Sequence, residues 1–196
     1  QLDNVPISNG IELDIRYHND QLILHHDPFG HHLETPVKFE DMMAKWKGEG
    51  PVILNVKTEG VELHCIEIMK RYSISNWFFL DLSMPYFVLF SQKANVGDLE
   101  GFGPSNLAVR FSEFEPIEYA LSFANRVEWV WVDCFNRMPL TEKIYTSLKT
   151  CGFKICLVSP ELQKHPTRRI EEFKKALRGF EIDAVCTKHS DAWSAE

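Results

Sequence analysis

Apolar positions along this chain recur with two periods. In Gly10–Arg16, Ile11, Leu13 and Ile15 alternate with Glu12, Asp14 and Arg16, the period of a half-buried strand. Residues two apart share a strand face, so Glu12 and Asp14 point the same way. A turn at Tyr17–Asp20 leads to a return strand, Gln21–Leu24, which delivers His25-His26-Asp27 before Pro28 stops it. Six further strands follow as nearly continuous apolar runs: Pro51–Lys57, Trp77–Ser83, Leu107–Ser112, Trp129–Cys134, Phe153–Ser159 and Ile182–Lys188. Helical spacing falls at 39–46 and between those runs, at 61–72, 86–92, 116–124, 141–151 and 167–177. In the stretch 61–72, Leu63, Ile66, Ile68, Met69 and Tyr72 are available for an inner face. Residues 2–9 read as the tail of a helix and a loop.

Strands that are apolar throughout and alternate with amphipathic helices predict a parallel sheet covered by helices. Each strand carries polar residues at its C-terminal end: Glu12 and Asp14, Asn55 and Lys57, Asp81 and Ser83, Arg110, Asp133, Ser159 and Glu161, Thr187 and Lys188. In a (β/α) barrel that is the face on which active sites are built. The expected fold is therefore α/β, a TIM-type barrel in a single domain over residues 1–196. It shows seven of eight strands, the first being expected upstream of Gln1. A doubly wound sheet also places ligands at strand ends, but no GxGxxG or GxxxxGK[ST] loop occurs and Gly101-Phe102-Gly103-Pro104 lacks the spacing.

Composition narrows the chemistry. The net charge is -7 and no basic stripe follows the chain, which argues against a nucleic-acid partner. No apolar run approaches the ~20 residues of a membrane-spanning helix. Five cysteines is an odd number, without CxxC spacing, and Cys134, Cys156 and Cys186 lie in apolar runs. That pattern predicts reduced thiols and a cytoplasmic protein.

Two carboxylates on one strand face repel unless a divalent cation, a shared proton or a flanking Lys or Arg lies between them. Beyond the pair, Glu12-Leu13-Asp14, then His26-Asp27-Pro28 after a short hairpin, then Asn55-Val56-Lys57 resemble the glycerophosphodiester phosphodiesterase family. That family belongs to the barrel superfamily that includes phosphatidylinositol-specific phospholipase C. Its pattern is His-Arg on the first strand, Glu-x-Asp on the second, His-Asp shortly after, and Glu-x-Lys on the third. Here Asn55 replaces a Glu, the hairpin is about one residue shorter, and the His-Arg element has no counterpart. The resemblance covers residues 10–57. It implies metal-dependent cleavage of a small-molecule phosphodiester, with Glu12, Asp14 and Asn55 holding Mg²⁺ or Ca²⁺ weakly. In the same reading Lys57 faces a phosphoryl oxygen, and His26 is a general acid or base whose partner His should lie upstream of Gln1.

Two other functions fit the strand ends: a non-catalytic barrel binding a phosphorylated or sugar ligand, and a sugar-phosphate aldolase or isomerase with Lys57 as a Schiff base. Arg110, Asp81, Asp133 and Lys188 are candidate substrate contacts, the first three equally able to form a structural ion-pair ring. Trp129, Trp131, Phe78 and Phe79 read as wall packing. His25, His31, His32, His165 and His189 carry no motif, and Ser159 lacks a nucleophile elbow.

Overall fold

The computed structural model describes residues 2, 5–28 and 35–194. His31 and His32 lie outside the described residues. So does part of the helix tail expected over 2–9, of which Pro6–Asn9 forms a turn closed by Asn9 N–H on Pro6 O (2.9 Å). The chain divides into two compact units, Gln1–Leu107 and Ala108–Glu196.

The first unit is built on β1 (Ile11–His18), β2 (Gln21–Leu24), β3 (Val37–Lys38), β4 (Val52–Val56) and β5 (Trp77–Leu80), with α1 (Phe39–Met43), α2 (Glu62–Arg71) and α3 (Met84–Val96). Its sheet order is β3-β2-β1-β4-β5. β1, β4 and β5 run parallel, while β2 returns antiparallel on β1 and β3 on β2. The hairpin turn is two residues long because Asn19 and Asp20 both take positive φ, 47° and 59°, the backbone that matches strand twist in a tight hairpin. The core fills from all four residues of β5, each at most 2% exposed. Phe79, Phe90 and Phe102 cluster with ring centroids 5.8–6.3 Å apart. The face buried by α2 is Glu62, Cys65, Ile66, Ile68 and Met69. Leu63, expected inside, is 51% exposed: it lies one residue, about 100° of helix, past Glu62 and so off the 62–65–66–69 stripe.

The second unit contains β6 (Ala108–Phe111), β7 (Trp129–Val132), β8 (Lys154–Val158) and β9 (Ala184–Cys186) in that order, all parallel. Its helices are α4 (Ile117–Leu121), α5 (Glu142–Thr150), α6 (Arg169–Ala176) and α7 (Ser190–Trp193). Thr141 caps α5 by accepting a hydrogen bond from Ile144 N–H at 3.3 Å. Trp129 and Trp131 are buried wall residues, as are Phe78 and Phe79. All five cysteines are free thiols.

All seven expected parallel strands are present, and each ends in the expected polar residues. Barrel closure is not detected: among the described residues the strands form one five-stranded and one four-stranded sheet, and neither sheet closes on itself. The antiparallel β2 and β3 extend the first sheet beyond β1, on the side where a closed barrel would need a parallel neighbour. At the other edge Phe79 makes a single parallel bridge to Leu107.

Candidate functional site

Sheet register assembles a polar cluster at the C-terminal ends of β1, β4 and β5. Asp14 pairs with Asn55 across the parallel β1–β4 ladder, and Asn55 pairs with Leu80 on β5. Partners in register share a face, so Glu12, Asp14 and Asn55 project together. Lys57 follows two residues after Asn55, its backbone N–H donating to Ile15 O (2.9 Å) as the ladder's last rung. Its Nζ lies 3.4 Å from Asp14 Oδ1 and 3.9 Å from Asp81 Oδ2. Regular alternation would turn Asp81 to the opposite face from Leu80. Its left-handed backbone, φ 59°, redirects the carboxylate toward Lys57, and Asp is among the few residues that adopt this conformation readily.

The electrostatics of the cluster are unbalanced. Burial pushes the Glu12 carboxyl above the usual range, and the neighbouring Asp14 charge pushes it further, against a hydrogen bond from Asn55 and the Lys57 charge. Asp14 Oδ1 and Asn55 Oδ1 are both buried and accept no hydrogen bond. Buried acceptors without a hydrogen bond cost stability, and at Asp14 Oδ1 the Lys57 ammonium, 3.4 Å away, offsets part of that cost. Lys57 supplies one charge at ion-pair distance. Among the described residues no three His, Cys, Asp or Glu side chains are grouped to hold a metal ion. The oxygen set offered is thus two carboxylates and one amide carbonyl, a hard but lightly charged set.

His26 stands at the exit of β2 with a side chain 77% exposed. Its Nδ1 meets Asp27 Oδ1 at 2.9 Å, and the His26 hydrogen bond holds the Asp27 carboxyl below its usual range. An ionised carboxylate only accepts, so in the neutral imidazole Nδ1 carries the hydrogen and the Nε2 lone pair is left to act as a base. The structure joins His26 to the cluster through its backbone, not its ring. His25 N–H donates to Asp14 O (3.0 Å), and Arg16 donates to His26 O from both Nε (3.3 Å) and Nη2 (2.8 Å). Arg16 is the residue that sequence reasoning missed as part of the site, and Asp27, quoted within the His26-Asp27-Pro28 motif, had been given no role. The signal for Arg16 was its place on the Glu12–Asp14 face.

In the second unit Asp133 is buried and amply paired. It accepts from Trp131 Nε1 (3.2 Å) and Gln163 Nε2 (2.9 Å), and Arg110 Nε lies 3.5 Å away. These partners give Asp133 a structural place, and the Arg110 side chain is about a third exposed. Lys188 is exposed, and its backbone N–H donates to Glu161 Oε1 (3.1 Å). Glu161 also accepts from Ser159 and Thr187. Burial raises the Glu161 carboxyl, but the bonds from Ser159, Thr187 and the backbone outweigh it and hold the group low. Its stabilisation is therefore complete above the ordinary value of 4.5 and is lost as pH falls through the folded value. Circular-dichroism melts from pH 7 to pH 3 should show a shallower acid-side decline for Glu161→Gln, with lower stability at pH 7; a slope identical to wild type would contradict this.

Parallel strands with polar C-terminal ends, and an acidic pair on one of them, define an α/β protein. The crystal structure of a glycerophosphodiester phosphodiesterase from Agrobacterium tumefaciens str. C58 is similar to it, with a TM-score of 0.60 over 95% of this chain and 87% of that one. Sequence identity between the two is 12%, so the likeness is one of fold. No protein-family model and no curated protein matches the chain.

Proposed function

We propose that this protein cleaves a small-molecule phosphodiester at the C-terminal ends of β1 and β4, assisted by a divalent cation. The observation that carries the reading is the pair of buried acceptor oxygens, Asp14 Oδ1 and Asn55 Oδ1, beside a Glu12 carboxyl raised by burial and by Asp14. Glu12, Asp14 and Asn55 would hold Mg²⁺ or Ca²⁺, which when bound polarises a phosphoryl oxygen and neutralises developing charge. Asn55 brings a carbonyl oxygen in place of a carboxylate, so affinity for the cation is weak. Lys57, positioned by Asp14 and Asp81, supplies a point charge to a non-bridging oxygen. His26, oriented by Asp27, takes or returns a proton at Nε2. Its ring is exposed, so it can turn toward a bound diester. Asp81 acts through Lys57.

The Schiff-base use of Lys57 fits poorly, because a nucleophilic amine works best away from anionic neighbours, and here carboxylates lie on two sides. The binding-protein reading draws on the same Asn55 and gives no role to the His26–Asp27 pair. Calorimetric titration with Mg²⁺ and Ca²⁺ tests the site: Glu12→Gln should bind at least one of them clearly more weakly than wild type. Equal affinity in both proteins would remove Glu12 from the cation site.

A further inference from the structure

We infer that Arg16 is a positioning residue of this site, a strap that fixes the two reacting side chains, His26 and Lys57, on either side of β1. The inference rests on the phosphodiesterase reading and adds a residue that the motif resemblance does not include. Arg16 follows Glu12 and Asp14 at the same two-residue spacing, so it lies on their strand face. Its guanidinium then reaches both ways across the sheet. Toward β2, Nε and Nη2 both donate to His26 O, at 3.3 and 2.8 Å. Toward β4, Nη1 donates to Lys57 O at 3.4 Å.

Both acceptors lie where regular strand pairing runs out. β2 ends at Leu24 and β4 at Val56, so His26 and Lys57 are each just past the last residue of a strand. On one side the ladder is prolonged by His25 N–H on Asp14 O, on the other by Lys57 N–H on Ile15 O. Tyr17 N–H adds a bond to Thr58 Oγ1 (3.4 Å). Without Arg16 the carbonyls of His26 and Lys57 would turn to water, and the two side chains would be carried on loose strand exits. A planar fork suits this task because its N–H vectors are fixed relative to one another and diverge. A lysine, with its donors on one nitrogen, cannot span two carbonyls on opposite sides of a strand. All three bonds go to neutral carbonyl acceptors, so the guanidinium charge also stays beside the turn, where it helps to keep Asp27 ionised.

Misplacing a reacting group by about an ångström costs on the order of 10²-fold in rate, so Arg16→Ala should lower kcat by roughly 10- to 100-fold. The affinity for Mg²⁺ should stay near wild type, because Glu12, Asp14 and Asn55 remain on their strands. Arg16→Lys should behave like Arg16→Ala, and added guanidinium ion should restore part of the rate in Arg16→Ala. Amide hydrogen exchange gives a readout independent of turnover: the bonded amides at the two strand exits, His25, Lys57 and Tyr17, should exchange faster in both variants, while β5 and the body of β4 stay protected. Wild-type kcat in Arg16→Ala, or full activity in Arg16→Lys, would overturn the assignment. So would exchange unchanged at the two strand exits. If the wild-type protein cleaves no diester, the exchange arm still decides: faster exchange upholds the strap while the phosphodiesterase reading falls, and unchanged exchange removes both.

Discussion

Replacing His26 with alanine should lower kcat on a diester such as bis-(p-nitrophenyl) phosphate by a factor of ~10²–10⁴, the range that one positioned proton-transfer group contributes. KM should change little, because the His26 ring is exposed and makes its hydrogen bond to Asp27, not to the acidic cluster. Asp27→Asn should be slowed as well. An asparagine can donate to Nδ1, which would move the hydrogen to Nε2 and remove the basic end. Steady-state kinetics on the two variants are sufficient: unchanged kcat in His26→Ala would take the imidazole out of the mechanism. Loss in His26→Ala with full activity in Asp27→Asn would leave His26 in place and remove the orienting role of its neighbour.

A second large effect concerns stability. In the folded protein Glu12 has its carboxyl raised, first by burial and then by Asp14. A raised carboxyl favours the fold most when protonated, below its ordinary value of 4.5. That advantage is lost as pH rises through the folded value, so at pH 7 the ionised group is a net cost. Glu12→Gln keeps the shape and removes the charge. Without divalent cations at pH 7 it should melt a few degrees above wild type, a chain of this size gaining roughly 2–4 °C per kcal/mol. The gap should close toward pH 4. Adding Mg²⁺ or Ca²⁺ should raise the wild-type melting temperature and leave that of the variant where it was, since a ligand stabilises only the state that binds it. Differential scanning calorimetry in chelator and in excess cation gives all four values; a variant less stable than wild type in chelator would show that the Glu12 charge is not strained.

What the sequence made legible follows from how local each feature is. Period-two alternation and the Asn19-Asp20 pair specify β1, its turn and β2 from neighbouring residues alone, and Gln21–Leu24 is observed with the bounds expected. Apolar runs such as Trp77-Phe78-Phe79-Leu80 announce buried strands for the same reason. The acidic pair was legible because two residues on one face need no fold to be neighbours, and Asn55 joined them once the parallel register placed it opposite Asp14. Closure of the sheet was not legible, since it depends on which edges pair at long range. Arg16 could be placed on the Glu12–Asp14 face, but its bonds could not be foreseen, because its acceptors are backbone carbonyls at Lys57 and His26, groups that every residue carries. A structural Arg110–Asp133 pair was one of the expected readings, but the bond from Gln163 escaped, because Gln163 comes from a 3₁₀ turn that the hydrophobic pattern does not signal. Strand ends are recognisable from sequence, but the neighbours that hold them are set by the fold.

The account stands or falls on cation-dependent diester cleavage at the Glu12–Asp14 face. Its most direct test is turnover of bis-(p-nitrophenyl) phosphate by the protein while Mg²⁺ or Ca²⁺ is titrated, set against the double variant Glu12→Gln/Asp14→Asn. The predicted result is a wild-type rate that climbs with cation, saturates only at high concentration as a lightly charged site requires, and is absent from the double variant at every concentration. Equal rates in the two proteins, or no wild-type turnover with either cation, would contradict it.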